Sequence, residues 1–455
     1  MLWDYMSVTT IKHVTVISDA FGTMAVRVLG MALVFATTIV SANVLGPLEF
    51  GAYNAGLSLT IVLASLLPLG TDRLLVRNLA AVRTPREAGV DVALAHMSSL
   101  IAAVCLFGCA FFQYPLSGIL HIPVSWLQTS MLAAIMVVPV TLTNLRQWIA
   151  IPLIGTRFAV LPEQTLVPIA FLSILSIAFG LNIRFTAISA ASTYAVVITI
   201  VWIVSLRTPS IGQAYASATR SLPKPLHLAN YIRRALPFVN LSVGCILLQR
   251  CLPLITVLTC GFAESGQFAV AQQLSGLPTI PLGVATLVIL PRCARQFRTG
   301  QLKAASETVR DAATLTFVLA IVIALVTWLA TPALPYLFGK SYTRVQEILP
   351  ALLLVAIVES VSGPSIAVMQ AMNLERSLAR SILGFVPLQL GLVYGFSHWL
   401  GLEGAAFGLL ISRILWITMV VGIIFRSQRM VSLPSLRIQG SGIHRIASPT
   451  TITHS

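Results

Sequence analysis

The chain has 455 residues, of which 57% are hydrophobic and only 9% are charged, and its mean hydropathy is +0.90. Soluble globular proteins carry about 25% charged residues, so this composition excludes a soluble domain. The 29 Lys and Arg residues outnumber the 14 Asp and Glu residues. In a membrane protein such an excess is typical of cytoplasmic loops, and it therefore gives no reason to expect a nucleic-acid partner.

Windows of about twenty apolar residues, the length needed to cross a bilayer as a helix, recur along the whole chain. Charged and Pro- or Gly-rich segments separate them. The sequence thus predicts an all-α polytopic membrane protein with about twelve transmembrane helices. The predicted spans are 22–44, 51–73, 89–112, 126–148, 158–180, 185–206, 235–258, 267–290, 309–331, 347–370, 379–399 and 402–425.

These spans divide into two lobes of six helices each. Residues 1–21 form a cytoplasmic N-terminal segment that could lie as a helix at the membrane interface, and 22–206 form the N-lobe. The polar, proline-containing segment 207–234 is the predicted cytoplasmic linker between lobes. The C-lobe covers 235–425, and the segment 426–455 has no apolar periodicity and is predicted to be a disordered cytoplasmic tail.

The distribution of positive charge fixes the orientation of the spans. If the N-terminus is inside, 23 of the 29 Lys and Arg residues fall in cytoplasmic segments, three fall outside and three lie within spans. Cytoplasmic loops carry the excess of Lys and Arg, so both termini are predicted to be cytoplasmic.

The two lobes also share a sequence repeat. The segment Gly46-Pro-Leu-Glu-Phe-Gly-Ala-Tyr53 follows the first span, and Gly261-Phe-Ala-Glu-Ser-Gly-Gln-Phe268 follows the seventh, 215 residues later. Because six spans separate them, both lobes enter the membrane from the same side. The repeat therefore predicts a parallel duplication about an axis along the membrane normal.

Three arginines lie deep within predicted spans: Arg27, Arg250 and Arg413. An arginine at mid-bilayer costs roughly 2.5 to 3.5 kcal/mol on insertion scales, so it persists where it faces a bundle interior or a wet cavity. Glu359 is the one carboxylate predicted to lie at a comparable depth. We therefore expect the three arginines to line a cavity that binds an anion.

Each of these residues also has a structural alternative. Arg27 could extend to the inner interface, and Arg413 could form an ion pair with Glu359. Glu359 could instead carry a coupling proton. Arg250 has no evident acidic partner in the sequence and is the strongest cavity candidate.

Several motifs together resemble the polysaccharide transporters, the Wzx-like flippases of the multidrug/oligosaccharidyl-lipid/polysaccharide (MOP) exporter superfamily, which also contains the multidrug and toxin extrusion (MATE) transporters. They occur in the same order along the chain as in that family. They are the turn Leu45-Gly-Pro-Leu-Glu-Phe-Gly-Ala-Tyr53, the segment from Leu142 to Phe158, the turn Tyr336-Leu-Phe-Gly-Lys-Ser-Tyr342, and Gly401-Leu-Glu-Gly-Ala-Ala-Phe-Gly408.

The resemblance implies a V-shaped pair of lobes that works by alternating access. It implies translocation of an undecaprenyl-pyrophosphate-linked oligosaccharide across the bacterial inner membrane for surface or exopolysaccharide synthesis. Membrane lipids, a polysaccharide polymerase and a chain-length regulator are the expected partners. Many family members have an acidic residue in helix 7 near the position of Arg250, so this chain departs from a helix 7 cation site.

Side-chain amides could bind sugar hydroxyls, or they could join helices to one another. These are Asn43, Asn240, Gln249, Gln272, Gln273 and Gln370. No catalytic constellation, metal-ligand spacing or nucleotide-binding loop occurs, so we expect a transporter without a cofactor rather than an enzyme.

Three other functions remain open at this stage. A cation-coupled multidrug exporter of the same superfamily should have acidic cavity residues. A peptidoglycan-precursor flippase usually has two more helices. A membrane-embedded glycosyltransferase or ligase would need a catalytic carboxylate or a large outer loop.

Overall fold

The computed structural model describes residues 2–81, 85–120, 123–220, 225–299, 301–362, 365–372 and 374–428, and these residues are almost entirely helical. The α-helices are α1 (Leu2–Leu66), α2 (Thr71–Ala81), α3 (Pro85–Leu120), α4 (Val124–Ile154), α5 (Thr156–Leu161), α6 (Val167–Gly180), α7 (Ala187–Ser205), α8 (Pro209–Arg220), α9 (Pro225–Arg250), α10 (Leu252–Cys260), α11 (Phe262–Ser275), α12 (Ile280–Arg298), α13 (Leu302–Leu329), α14 (Leu334–Phe338), α15 (Arg344–Val361), α16 (Ser365–Ala371) and α17 (Glu375–Gln428). The predicted tail beyond 428 lies outside the described residues.

The twelve predicted spans all coincide with helical structure, and the predicted all-α fold is confirmed. Within the described residues, seven helices are long and apolar enough to cross a membrane, or eight if the bent pair α9–α10 counts as one span. Two of the seven correspond to two predicted spans each, joined at a break in the helix. Helix α1 breaks at Gly46 (φ 71°), and α17 breaks at Gly401 (φ 64°). A positive φ is a conformation that glycine adopts without steric cost.

Each lobe packs its helices through small side chains and apolar surfaces. In α7 of the N-lobe, Ala187, Ala190 and Ala191 are buried in a core that also contains Phe171 of α6. The two arms of α17 approach closely at Gly404, because a Cβ there would collide with the Phe396 carbonyl oxygen. Close approach through small residues is how helices associate where lipid removes the hydrophobic driving force between them.

The segment 207–234, predicted to be a polar linker, is largely helical. Helix α8 occupies 209–220, and α9 begins at Pro225 instead of the predicted 235. Pro209 and Pro225 begin these helices, where the missing N–H costs nothing. Helix α8 buries Ile211 and Ala218, and the Tyr215 hydroxyl lies 3.2 Å from His96 Nε2 of α3. Prolines in this segment therefore mark the starts of helices, and interpreting them as linker residues obscured the amphipathic pattern of α8.

The repeated glycines bring the two lobes together at one end of the bundle, which we call the turn end; the opposite end, which carries 207–234, is the linker end. A Cβ on Gly51 would collide with the Phe262 carbonyl oxygen, and one on Gly266 would collide with the Pro47 carbonyl oxygen. Gly51 and Gly266 are equivalent in the repeat, as are Pro47 and Phe262. The turn end is thus closed by the same contact made twice, as expected for a two-fold arrangement.

Two hydrogen bonds between lobes accompany this closure. Asn43 Nδ2 donates to the Leu337 carbonyl oxygen at 2.6 Å, and the Tyr342 hydroxyl donates to the Ala42 carbonyl oxygen at 3.1 Å. Burial raises the pKa of Tyr342 above its ordinary value, so this hydroxyl keeps its proton and remains a donor. The structure is therefore closed at the turn end by backbone contacts and by polar side chains.

Replacing Gly51 with valine should hold the turn ends apart, because the new side chain collides with the Phe262 backbone. The measurement is the labelling rate of a cysteine at position 54, in a cysteine-free background, by a hydrophilic maleimide applied from the turn end. We expect labelling to become several-fold faster. Gly391→Val is the matched control, since a Cβ at that helical position meets no atom within 4 Å. Equal labelling rates in the two variants would contradict the closing role of Gly51.

Candidate functional site

A break between α9 and α10 places Arg250 at the end of a helix inside the bundle. The segments Val243–Arg250 and Leu252–Cys260 are bent by 42°. Pro253 causes part of this break, because it has no N–H to donate to the Gln249 carbonyl oxygen. Arg250 lies in the last turn of α9, where a cation interacts favourably with the negative end of the helix dipole.

Arg250 lines a polar cavity between the lobes. Its volume is about 220 Å³, and its lining residues are Asn54, Ser58, Gln249, Arg250, Pro253, Ala269, Gln272 and Gln273. The Arg250 side chain is accessible to solvent in the cavity, whereas its helix neighbour Leu248 is buried. The cavity therefore combines one guanidinium with several neutral hydrogen-bonding groups, and none of these lining residues is a carboxylate.

The cavity lies on the axis that relates the two lobes. Ser58 and Gln273 are equivalent in the repeat, and so are Asn54 and Ala269. Asn54 and Ser58 follow the Gly46 turn by eight and twelve residues, which places them roughly 12 and 18 Å along the helix from it. Since a bilayer core is about 30 Å thick, this depth corresponds to the middle of the membrane, directly beneath the closed turn end.

The charge of the cavity is not symmetric between lobes. The repeat places Phe35 of the N-lobe opposite Arg250, and Phe35 packs against an apolar core. Tyr53, the neighbour of Asn54 in the chain, stacks on Phe171, and Tyr194 packs edge-on against both rings, with centroids 5.4 to 6.5 Å apart. Tyr194 also interacts electrostatically with Arg250. The N-lobe thus contributes only the neutral Asn54 and Ser58 to the cavity lining, and the C-lobe carries the positive charge.

The other predicted site residues lie elsewhere. Arg413 Nη2 is 3.5 Å from the Leu248 carbonyl oxygen and makes no ion pair with Glu359 in this structure. Arg27 is half-buried in α1, and its Nε has no hydrogen-bond partner. Glu359 is half-buried in α15. None of these three residues lines the polar cavity around Arg250, so their predicted binding and coupling roles stay predictions.

Three of the predicted amides, Gln249, Gln272 and Gln273, line the cavity. Asn43 instead contributes to the turn-end closure, and Gln370 lies outside the lining residues. The side chain of Asn240 lies outside the described residues. Asn54 and Ser58 were not singled out by the sequence analysis, although their positions one and two turns after the repeat glycine could have indicated them.

A second buried polar cluster was missed, because Arg146 and Glu163 lie near the facing ends of the predicted spans 126–148 and 158–180 and were not counted among the deep charged residues. Arg146 of α4 is only 2% exposed, and its Nη1 donates to the Ala159 carbonyl oxygen at 2.7 Å. Glu163 lies in a π-helical turn (Pro162–Leu166) and interacts electrostatically with Arg146. Glu163 Oε1, Gln164 Oε1 and Thr165 Oγ1 are buried without a hydrogen-bond partner. Glu359 is therefore not the sole carboxylate within the spans.

Replacing Arg146 with methionine should destabilise the N-lobe, because it removes the donor to Ala159 and leaves Glu163 without its nearest cation. We expect a loss of about 1–3 kcal/mol, typical of a buried acceptor left unpaired, seen as a lower melting temperature in detergent. Arg184→Met is the control, since Arg184 is exposed. An unchanged melting temperature for Arg146→Met would contradict a structural role for this side chain.

No protein-family model and no curated protein sequence matches the chain. Solved structures do match it over 90% of its length. One is an inward-facing multidrug resistance MATE family transporter of the MOP superfamily, with 16% identity, 99% of that chain covered and a TM-score of 0.66. Another is the lipid II flippase MurJ in an inward closed conformation, with 13% identity, 87% covered and a TM-score of 0.66.

A third similar structure is a MOP superfamily transporter from Pyrococcus furiosus whose binding pocket is described as having reverse polarity. It is 14% identical, 94% of that chain is covered, and the TM-score is 0.57. At these identities the likeness concerns the fold. The chain has the fold of MOP superfamily transporters, in agreement with the predicted architecture.

Proposed function

We propose that this chain is a membrane transporter that translocates an undecaprenyl-pyrophosphate-linked oligosaccharide across the bacterial inner membrane. The supporting observation is the polar cavity at mid-membrane depth, which holds Arg250 among neutral hydrogen-bonding side chains. A guanidinium offers a two-pronged set of donors that matches phosphate oxygens. The pyrophosphate would bind at Arg250, and the lipid tail would remain in the bilayer.

The amides in the cavity suit the remainder of such a headgroup. Gln272 and Gln273 of α11 and Asn54 of α1 each offer both a donor and an acceptor, which is what sugar hydroxyls require. A cavity of about 220 Å³ holds only part of an oligosaccharide. In this closed state it would enclose the phosphate end, and separation of the lobes would admit the sugars.

The multidrug exporter is the main alternative, since the chain resembles a multidrug MATE transporter and the lipid II flippase with the same TM-score. The charge of the cavity distinguishes the two functions. An exporter of cations would expose acidic groups, whereas the lining residues here carry one arginine and no carboxylate. A transporter of the same fold is described as having a binding pocket of reverse polarity. This supports the view that the charge of the pocket differs among proteins of this fold according to their substrates.

The orientation and the cellular setting belong to the same proposal. The charge distribution of the sequence places the turn end outside and both termini in the cytoplasm. The turn end, which is closed in this structure, would then face outward, and separation of the lobes at the linker end would admit a substrate made on the cytoplasmic side. A polymerase and a chain-length regulator would act on the product outside. The coupling would come from an ion gradient or from consumption of the product.

The direct test is replacement of Arg250. Arg250→Ala should abolish polymer export while the protein remains in the membrane, because the substrate anion loses its countercharge. Arg250→Lys should recover part of the export, since lysine keeps the charge but not the two-pronged geometry. Export is measured as extracellular polymer, alongside accumulation of lipid-linked repeat units in the cell.

Arg184→Ala serves as the control for loss of one positive charge at an exposed position, and it should export normally. Full export by Arg250→Ala at normal protein levels would remove Arg250 from the substrate site. Polymer export that persists without this chain, together with resistance of the host to cationic drugs that depends on this chain, would favour the multidrug exporter.

A further inference from the structure

The end of α9 beside the polar cavity has backbone carbonyls without the usual donor from the same helix. Side chains from other helices donate to two of them. The last four carbonyls of a helix have no intrahelical donor. Here the Leu247 oxygen accepts from Cys251 N at 3.2 Å, and the Gln249 oxygen accepts from Gln272 Nε2 at 3.5 Å. The Leu248 oxygen accepts from Gln389 Nε2 at 2.8 Å and from Arg413 Nη2 at 3.5 Å.

Both donors to Leu248 come from α17, the last helix of the C-lobe. Gln389 is fully buried, and Arg413 lies on the second arm of α17 beyond the Gly401 break. Gln389 Oε1 and Arg413 Nε are buried without a hydrogen-bond partner. The one well-formed hydrogen bond of Gln389 in this structure is therefore the bond to the broken end of α9.

We propose that Gln389 and Arg413 are positioning residues that hold the α9–α10 break open, so that Arg250 faces the polar cavity. This inference rests on the proposed function, and it gives Arg413 a role different from direct substrate binding. The bend separates the last turn of α9 from the start of α10, and Arg250 lies in that turn. Side-chain donors at Leu248 stabilise the broken geometry, because an unpaired carbonyl inside a membrane protein would otherwise favour a continuous helix.

A polar contact that supports a helix break would also explain why an arginine occurs in α17 at all. A guanidinium in a span is tolerated when it pairs with backbone carbonyls. The partner of Arg413 in this structure is such a carbonyl, which lies at the negative end of the α9 dipole. The arrangement couples the geometry of α9 to that of α17, so a movement of either helix would move Arg250.

The test measures the accessibility of position 250 rather than transport. Arg250→Cys is placed in a cysteine-free background, and its labelling by a hydrophilic maleimide is followed in purified protein. Gln389→Met removes the donor to Leu248 while keeping a similar side-chain volume. We expect it to slow the labelling by at least about five-fold, the change in population that follows the loss of one hydrogen bond. Arg413→Met should have a smaller effect, because its contact is longer, and Arg413→Lys should restore labelling by keeping a donor.

Gln296→Met is the matched control, since Gln296 Nε2 donates to Thr308 Oγ1 at 3.2 Å, away from the cavity. The melting temperature in each background confirms that the protein is folded, and a second reporter, Arg184→Cys at an exposed loop position, confirms that the labelling reaction itself is unchanged. Labelling at position 250 that is unchanged in both Gln389→Met and Arg413→Met would overturn the proposal. Because no substrate is needed, this result is independent of the export assay: the positioning role can fail while the transport proposal stands, and the reverse also holds.

Discussion

The contact of two repeat glycines with the backbone of the opposite lobe is the constraint on which the rest of the structure depends. Gly51 meets Phe262, and Gly266 meets Pro47, so the N-lobe and C-lobe touch where a Cβ cannot fit. This double contact fixes the axis between the lobes and closes the turn end. The polar cavity then follows directly beneath it, one and two helical turns further along the same helices. The closure and the polar cavity are thus built from one short repeat.

The asymmetry of the cavity is as informative as its symmetry. The duplication supplies equivalent positions, but the C-lobe has Arg250 where the N-lobe has Phe35. A break at the end of α9 carries the positive charge, and the N-lobe contributes the neutral Asn54 and Ser58 to the lining. A discontinuous helix at mid-membrane, with its end directed at a binding site, is a recurring arrangement in transporters. Here the arginine adds a full positive charge at that end.

The fold could be predicted well from sequence, because twenty-residue apolar windows and a repeated turn are local signals. The cavity could be predicted only in part. Arg250 was found from its cost in an apolar span, whereas Asn54 and Ser58 look like ordinary small polar residues until the lobes are placed together. The partner of Arg413 is a backbone carbonyl 165 residues away, and no side-chain pattern reveals a carbonyl that a bend in another helix leaves free.

The Arg146 and Glu163 cluster escaped the sequence analysis for a different reason. Both lie near the predicted turn between the fourth and fifth spans, so hydropathy assigns them to an interface or leaves them uncounted. The structure extends α4 to Ile154 and inserts a π-helical turn at Pro162–Leu166, which carries them inside. Helix α8 was missed similarly, since Pro209 and Pro225 were read as linker residues although they begin helices. Tertiary packing, and not local propensity, decided these cases.

The central claim is that the cavity around Arg250 selects an anionic lipid headgroup. Native mass spectrometry of the purified protein, titrated with undecaprenyl pyrophosphate and with neutral undecaprenol, tests this claim most directly. The account predicts that the pyrophosphate lipid binds at lower concentration than the alcohol, and that the preference disappears when Arg250 is replaced by alanine. Equal binding of the two lipids by the unaltered protein would contradict it.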